Sequence, residues 1–290
     1  MRSGVRRGLA AIALPTALVA GWEGYRALAL ALDNTWPGTD VALPVAVRGT
    51  GNAQQFPHTW DVIMAFGRPY RGAGETLGAY LLGQVGFTLR EVGVGFALGG
   101  LLGFALGTLF AHSRLAERSL LPYVVASQTV PFIAFAPIVV LAVNSVDWLP
   151  RWWGVAVLST YLVFFPMTVN TLRGLRSASP QAEELLRSYR TSAWTRLWRL
   201  RVPAAVPYLF VGAKVGATAA VVGAIVGELS APSSQGIGAA LFAFGRVSNQ
   251  SVQLFATVLV AAALGIVSYL AVSAAERAVA WRFTGRRGAS

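Results

Sequence analysis

Six long runs of apolar residues dominate this sequence, and each is long enough to cross a lipid bilayer. They lie approximately at Leu9–Leu32, Val85–Ala111, Leu121–Val143, Trp152–Leu172, Ala204–Leu229 and Val252–Ala275. A bilayer core of about 30 Å needs roughly 20 helical residues at 1.5 Å each. Because lipid offers no hydrogen-bond partners to a bare backbone, each run is predicted to be a transmembrane helix.

The composition excludes several other classes of protein. Apolar residues make up 55% of the chain and charged residues only 12%, which lies outside the soluble range. The sequence has no cysteine and only two histidines, His58 and His112, so disulfides, iron–sulfur clusters and thiol catalysis are excluded and no metal site is expected. The net charge of +12 comes from arginines between the apolar runs and from one lysine. Membrane topology explains these charges better than nucleic-acid binding does.

The distribution of basic residues predicts the orientation of the chain. With a cytoplasmic N-terminus, sixteen of the 24 basic residues fall in cytoplasmic segments, and seven of these are the arginines from Arg173 to Arg201. The positive-inside rule therefore predicts that both termini are cytoplasmic and that the number of helices is even. The first run follows Arg2, Arg6 and Arg7 and has a cleaved signal peptide as its alternative. We expect a retained helix, since apolar residues resume at Ala27.

Glycines at intervals of four residues predict close helix packing in two of the spans. Side chains are missing along one helix face, so another backbone can approach closely. We therefore expect these glycines to form a helix-packing seam and not a phosphate-binding loop. Such a seam fits a compact bundle, and it also fits helices that slide against each other. The glycines are Gly95, Gly99, Gly103 and Gly107 in the second span, and Gly212, Gly216, Gly223 and Gly227 in the fifth.

Prolines predict that the third span is broken. Pro122, Pro131 and Pro137 surround the polar stretch Ser127-Gln128-Thr129, and each proline removes a backbone hydrogen bond. Broken helices at membrane depth usually line cavities. Outside the membrane, Pro57–Phe66 is compatible with a short interfacial helix or with a solvent loop.

Four charged residues lie within the predicted spans: Glu23, Glu91, Lys214 and Glu228. Arg90 and Glu91 are expected to cap the outer end of the second span, and Lys214 is expected to extend toward the membrane surface. Structural pairing or interfacial placement of Glu228 is at least as well supported as a contact with substrate.

A segment of about thirty residues, Arg173–Val202, connects the fourth and fifth spans and is longer than a simple connection requires. Ser179 and Pro180 form a good helix start, and Glu183 precedes Arg187 by four residues. Thr191-Ser192 offers a second cap. We predict two short helices along the membrane surface that present arginines and aromatics to a partner, the alternative being a lipid-anchored basic helix.

Several ordered motifs in this chain resemble those of bacterial ABC importer permeases. Glu184-Leu185-Leu186, Arg190 and Leu200-Arg201-Val202-Pro203 fall on the spacing of that family's EAA loop, with Leu-Leu for Ala-Ala, Arg190 for glycine and Val202 for leucine. If the glycine position needs a left-handed backbone, Arg190 costs about 1 kcal/mol there. The resemblance covers roughly Leu81–Trp281 and continues in Gln128–Pro131, Phe164–Pro166, Pro203–Phe210 and Gly236–Gly238. These motifs look like the branch that imports nitrate, sulfonates, taurine and pyrimidine-type precursors.

This resemblance implies an all-α membrane protein with about six transmembrane helices in a type I ABC importer permease bundle. Residues 1–80 would hold the first helix and a long external segment. Residues 81–281 would form the permease core, with its EAA-type loop at 173–203, and residues 282–290 would form a basic cytoplasmic tail. The protein would lie in the bacterial cytoplasmic (inner) membrane.

The same resemblance implies partners and roles. A cytoplasmic ABC ATPase dimer would bind the ATP, since the chain has no GxxxxGK[ST] motif, and no cofactor is expected on the permease. A periplasmic or lipid-anchored substrate-binding protein and a second permease copy would complete the importer. The residues expected to couple to the ATPase are Glu183, Glu184, Arg187, Ser188, Tyr189, Arg190, Thr191 and Trp194. Those expected on the translocation path are Gln128, Thr129, Phe132 and Glu228.

The substrate expected is a small organic solute, with a slight preference for a pyrimidine-like heterocycle over a sulfonate, taurine or nitrate. The alternative function is a proton- or ion-coupled secondary transporter, which would use Glu228, Glu91 or Lys214 as a relay. No internal repeat of broken helices supports that alternative. A membrane enzyme is disfavoured, because its acid, base or metal ligands would have to cluster.

Overall fold

The structure of the protein is a computed structural model that describes residues 13, 16–28, 57–71, 74–231, 235–247 and 249–284. Almost all of these residues are helical. The helices are α1 (residues 16–28), α2 (Thr59–Ala65), α3 (Leu77–His112), α4 (Arg114–Ala126), α5 (Phe132–Asn144), α6 (Trp152–Leu175), α7 (Pro180–Ser188), α8 (Ala193–Arg196), α9 (Val202–Ser230), α10 (Ile237–Gly245) and α11 (Ser251–Thr284). Strands β1 (Pro69–Arg71) and β2 (Glu75–Thr76) form a small antiparallel hairpin.

Contacts divide the described residues into two compact units. The smaller unit runs up to Leu82 and includes Ala240–Leu259, and the larger one contains Gly83–Ala239 and the residues from Val260 onward. In the smaller unit, Glu23 on α1 accepts a hydrogen bond of 2.8 Å from the backbone N–H of Thr59. The ring of His58 caps α2 by accepting from the backbone N–H of Trp60 at 3.1 Å. These contacts make the segment at Pro57–Phe66 a helix rather than a solvent loop.

Four helical segments among the described residues are long and apolar enough to cross a bilayer: Leu77–His112, Trp152–Leu175, Ala193–Ser230 and Ser251–Val279. The helices Arg114–Thr129 and Phe132–Asn144 would form a fifth span if counted together, although they meet at 101°. These segments correspond to the last five predicted runs. Of the first predicted run, residues 16–28 are helical and the rest lies outside the described residues.

The second span begins earlier than predicted. Helix α3 starts at Leu77 rather than at Val85, so Arg90 and Glu91 lie well inside it. The expectation that they cap its outer end was wrong, and Glu91 is only 3% exposed. The hairpin strand β2 leads directly into α3, so the helix starts where the hairpin ends.

Helix α6 lies at the centre of the larger unit, and the glycines of α3 pack directly on it. A Cβ atom added at Gly99 would lie 2.6 Å from Val163 Cβ, and one added at Gly103 would lie 2.5 Å from Met167 Cβ. Gly95 and Gly107 approach Ser159 and Thr171 of α6 in the same way. Such distances leave no room for a side chain, so the predicted packing seam is confirmed.

The glycines of α9 pack against the same helix. A Cβ atom at Gly223 would lie 2.8 Å from Ser159 Cα, and one at Gly227 would lie 3.0 Å from Val155 Cγ1. Ser159 adds a polar contact, because its hydroxyl donates to the carbonyl of Ala220 at 3.0 Å. Eleven residues of α6 are buried, which is the expected result for a helix with a close neighbour on two sides.

We predict that Gly103→Ala lowers the free energy of unfolding by about 1–3 kcal/mol, because the new methyl group overlaps Met167 and the carbonyl of Phe164. The matched control is Gly100→Ala, since a Cβ atom there meets nothing within 4 Å. That change should be neutral or stabilise the helix by up to about 1 kcal/mol. Thermal unfolding of the purified protein in detergent measures both, and equal shifts for the two variants would contradict the seam.

Candidate functional site

The break in the third span is a short turn whose backbone carbonyls are satisfied by hydroxyl groups. Residues Ser127–Thr129 form one turn of 3-10 helix between α4 and α5. The Ser127 hydroxyl donates to the carbonyl of Val124 at 2.8 Å, and the Thr129 hydroxyl donates to that of Ala126 at 2.8 Å. The Tyr161 hydroxyl of α6 donates to the carbonyl of Ser127. The break therefore leaves few backbone groups bare at membrane depth.

Three residues predicted to line the path lie at this break. Gln128 and Thr129 are exposed, and Phe132 is half-buried at the start of α5. The ring of Phe132 stacks on that of Tyr161, with centroids 6.0 Å apart and planes 6° apart. Tyr161 was not among the residues predicted to line the path. Its only sequence signal is its position one helical turn before Phe164.

Glu228, the fourth residue predicted for the path, lies in a buried polar cluster with Gln84, Thr88 and Glu91. Its side chain is fully buried. One carboxylate oxygen accepts from the Thr88 hydroxyl at 2.7 Å, and the other accepts from the backbone N–H of Gly238 at 2.5 Å. Glu91, which is also buried, lies beside Glu228 in this cluster. These contacts support the structural role that was weighed against substrate contact.

Three successive backbone N–H groups at the start of α10 point to this cluster. The N–H of Gly236 donates to Gln84 Oε1 at 2.7 Å, and that of Ile237 donates to the Thr88 hydroxyl at 2.9 Å. A side chain at Gly236 or Gly238 would collide with Glu228, and Gly236 has a φ of 122°. The Gly-Ile-Gly motif thus lets a helix start approach a carboxylate closely.

The sequence carries a signal for this cluster. Gln84, Thr88 and Glu91 follow one another at intervals of four and three residues, so they share one face of α3. A polar stripe on an apolar span predicts a buried polar partner.

Lys214 also has a partner that the sequence did not indicate. Its ammonium group lies 2.5 Å from Glu276 Oε2 of α11. The expectation that Lys214 only extends toward the membrane surface was therefore incomplete, since the side chain joins α9 to α11.

The segment between the fourth and fifth spans folds as predicted into two short helices, α7 and α8. The Ser179 hydroxyl accepts from the backbone N–H of Ala182 at 3.2 Å, and Pro180 is the first helical residue. The Ser192 hydroxyl caps α8 by accepting from the N–H of Thr195 at 3.1 Å. A π-helical turn, Leu197–Arg201, then leads into α9.

Helix α7 ends in a Schellman motif, and Arg190 occupies its left-handed position. The N–H of Thr191 donates to the carbonyl of Leu186 at 3.2 Å, and that of Arg190 donates to the carbonyl of Arg187 at 2.9 Å. Arg190 has a φ of 52° and is the one non-glycine residue with positive φ in the described part of the chain. The strain expected from the sequence is therefore present.

Glu183 anchors this segment to the start of α9. Its carboxylate accepts two hydrogen bonds from the Arg201 guanidinium, at 2.9 and 3.1 Å. Arg187 and Arg196 each lie 3.6 Å from the same carboxylate. The hydrogen bond from Arg201 lowers the pKa of Glu183, and the charges of all three arginines act in the same direction.

The other residues predicted for coupling divide into an exposed and an inward group. Thr191 is half-buried, and its hydroxyl donates to the carbonyl of Leu186 at 2.7 Å. The side chains of Tyr189 and Trp194 are 73% and 68% exposed. The remaining exposed residues are Glu184, Arg187, Ser188 and Arg190.

Apolar spans with a bent third span and a two-helix loop define this chain as a multi-span helical membrane protein. It resembles a chain from a solved structure of the MetNI methionine ABC transporter in inward-facing conformations, with a TM-score of 0.61 over 71% of this chain and 99% of that chain. The two sequences are 17% identical, so this likeness shows the fold alone.

Curated relatives are permease proteins. The formylaminopyrimidine transport permease protein ThiX of Halalkalibacterium halodurans is 34% identical over 67% of this chain and 76% of the relative. The putative aliphatic sulfonates transport permease protein SsuC of Bacillus subtilis is 28% identical over 85% of this chain and 86% of the relative. The nitrate import permease protein NrtB of Leptolyngbya laminosa is 29% identical over 56% of this chain and 55% of the relative.

Residues 99–281 match the family described as "Binding-protein-dependent transport system inner membrane component". The chain belongs to this family and is a multi-pass permease subunit of an ABC importer. The sequence-based family assignment and fold class are thereby confirmed.

We predict that Arg190→Gly stabilises the α7–α8 segment by about 1 kcal/mol, because glycine relieves the left-handed strain. Local opening, measured by hydrogen exchange of α7 amides, should become roughly fivefold rarer. Arg187→Gly is the control of opposite sign, since glycine inside a helix costs about 1 kcal/mol. Faster exchange in Arg190→Gly would show that contacts of the arginine side chain stabilise the segment by more than the left-handed backbone strain destabilises it.

We predict that the segment loosens in acid because Glu183 becomes protonated. Its pKa is lowered from an ordinary value of 4.5, so its stabilisation is complete above about pH 4.5 and is lost as pH falls through the folded-state pKa. Glu183→Gln should lower the free energy of local opening at pH 7 by about 1–2 kcal/mol, so that opening becomes more frequent. It should also remove the pH dependence. The exposed neighbour change Glu184→Gln is the control and should do neither. A pH profile unchanged by Glu183→Gln would assign the transition to another group.

Proposed function

We propose that this permease carries a small organic solute into the cell and is driven by a separate cytoplasmic ATPase dimer that docks on the α7–α8 segment. The observation that supports this docking is the exposed aromatic pair on the segment. Tyr189 and Trp194 are large, mostly exposed and flanked by Arg187 and Arg190. Tyrosine, tryptophan and arginine are the residues that most often dominate binding energy at protein interfaces.

Within the coupling set, the proposal gives the exposed and inward residues different tasks. Glu184, Arg187, Ser188, Tyr189, Arg190 and Trp194 would touch the ATPase. Glu183 and Thr191 would keep the segment rigid, because both make contacts within the permease. A rigid segment can transmit motion of the ATPase dimer to the membrane helices, whereas a loose one would absorb it.

The proposed orientation puts this segment and both termini on the cytoplasmic side of a bacterial inner membrane. It rests on the excess of arginines in Arg173–Arg201 and the positive-inside rule. An external substrate-binding protein would then deliver solute to the opposite side. A second copy of the chain would supply the other wall of the path, since Gln128 and Thr129 are exposed at the break.

The proposed path passes the α4–α5 break. Gln128 and Thr129 offer hydrogen bonds, and the Phe132–Tyr161 stack offers an aromatic surface. This combination suits a flat heterocycle, in keeping with the name of the ThiX relative, while a sulfonate, taurine or nitrate would use the polar groups alone. Glu228 would act on this path by fixing the start of α10 through Gly238.

In the proposed cycle, ATP binding closes the ATPase dimer and moves α7 and α8. The motion would rock the spans between inward-open and outward-open states. Helix α6 would move together with α3 and α9, because their glycine contacts leave no slack for independent displacement.

We predict that the double change Tyr189→Ala and Trp194→Ala lowers the amount of ATPase that copurifies with the tagged permease at least tenfold. Loss of one interface aromatic often costs 2 kcal/mol or more, which is roughly a thirtyfold change in affinity. The measurement is a pull-down from gently solubilised native membranes, with the copurified protein quantified by mass spectrometry.

The matched control is Trp148→Ala, an aromatic truncation at a residue that is 81% exposed in the turn between α5 and α6. It should leave the yield of ATPase unchanged. Equal loss in both variants would contradict docking on α7–α8. Absence of any ATPase with the native protein would overturn the importer mechanism and favour the proton-coupled alternative, which uptake driven by an imposed pH gradient would then test.

A further inference from the structure

A large cavity in the larger unit is lined by six arginines. One of them, Arg187, is also among the residues proposed to touch the ATPase, but the cavity itself has no assigned role. Its volume is about 1340 Å³. The arginines come from two parts of the chain, namely the start of α4 and the stretch that runs from the end of α6 to the start of α9. They are Arg114, Arg118, Arg176, Arg187, Arg196 and Arg201.

The carboxylates near this arginine cavity do not balance its charge. Glu117 accepts two hydrogen bonds from Arg176, at 2.8 and 2.5 Å. Glu183 neutralises part of the charge of Arg201, Arg187 and Arg196. Six guanidinium groups against these two carboxylates leave an excess of four positive charges.

Of the six arginines, Arg114 and Arg118 have the least of their positive charge neutralised by carboxylates. Both are exposed, and neither forms an ion pair within 4 Å in the described part of the chain. They lie four residues apart on α4, so they share one helix face. Like charges held together in a concave site repel one another unless an anion enters.

The other wall of the cavity is apolar. Leu121, Pro122, Val125 and Ala126 continue the same face of α4 toward the break at Ser127. The cavity is therefore amphipathic, with guanidinium groups at one end and hydrocarbon at the other.

We propose that the arginine cavity is a binding site for an oxyanion, taken either from the headgroup of an anionic lipid or from a free anionic solute. Arginine is the side chain best suited to this ligand, because its planar fork binds phosphate-type oxygens with two parallel hydrogen bonds. Basic pockets between helices on the cytoplasmic side of a membrane recognise anionic headgroups, and the apolar wall can receive the adjoining chain. A free sulfate- or phosphate-type anion uses the same arginines without that wall.

The test is the double change Arg114→Gln and Arg118→Gln in the full-length permease reconstituted in lipid nanodiscs. Because neither arginine has an ion-pair partner within 4 Å in the described structure, the change breaks no ion pair there, and the Arg176–Glu117 pair stays intact. The matched control is Arg173→Gln with Arg199→Gln. It removes the same charge at two exposed arginines that do not line the cavity.

Two probes distinguish the sources of the oxyanion. Native mass spectrometry measures phosphatidylglycerol retained by the permease in competition with phosphatidylcholine, and thermal unfolding in pure phosphatidylcholine measures the effect of added inorganic sulfate. At least one anion should bind the native protein, with its apparent affinity reduced at least tenfold in Arg114→Gln/Arg118→Gln and less than twofold in the control. Preferential retention of phosphatidylglycerol identifies a lipid site, and stabilisation by sulfate identifies a site for a free oxyanion.

The proposal is overturned if neither anion binds, or if both double variants weaken binding equally, since the effect would then be general charge attraction. It is also overturned if Arg114→Gln/Arg118→Gln abolishes copurification of the ATPase while anion binding is unchanged. That result would show that the cavity receives an acidic protein surface. None of these outcomes depends on docking at Tyr189 and Trp194.

Discussion

The close contact of α6 with two glycine-bearing helices is the interaction on which the rest of the larger unit depends. Lipid provides no hydrophobic force between helices, so their association relies on van der Waals contact and on the few polar groups within the interface. Gly99 and Gly103 of α3 and Gly223 and Gly227 of α9 bring their backbones onto α6. This arrangement fixes Tyr161 beside the break and lets Thr88 of α3 reach Glu228 of α9.

The buried polar cluster adds specificity to this packing. Dispersion contacts alone tolerate small rotations of one helix about another, but Thr88 must face Glu228 for its hydrogen bond to form. The Glu228 carboxylate in turn receives the N–H of Gly238. A buried carboxylate is costly unless its oxygens are satisfied, so this arrangement selects one rotational setting of α3, α9 and the start of α10.

Local sequence rules predicted the features of this protein that depend on neighbouring residues. The cap at Ser179, the second cap at Ser192, the glycine seams and the broken third span follow from one helix at a time, and all are present. The left-handed backbone at Arg190 could be predicted only because the family resemblance places a glycine at that position. Lys214 with Glu276, Tyr161 with Ser127 and the six-arginine cavity each join residues distant in sequence, and nothing local indicates which helices will meet. The early start of α3 was missed because the residues before Val85 are less apolar. At 36 residues the helix is longer than a bilayer core requires.

The turn at Ser127–Thr129 has a further consequence for how a solute could be selected. Its hydroxyl groups and Tyr161 are committed to backbone carbonyls, so they cannot also serve as donors to a passing molecule. The amide nitrogen of Gln128 donates one hydrogen bond of 3.3 Å to the Ser127 hydroxyl, and Gln128 is an exposed residue. Discrimination at this level would then depend on matching donors on the solute to these hydroxyl and amide oxygens, and one acceptor to the remaining N–H of Gln128, beside an aromatic ring. Such a filter distinguishes shape and hydrogen-bond polarity rather than charge.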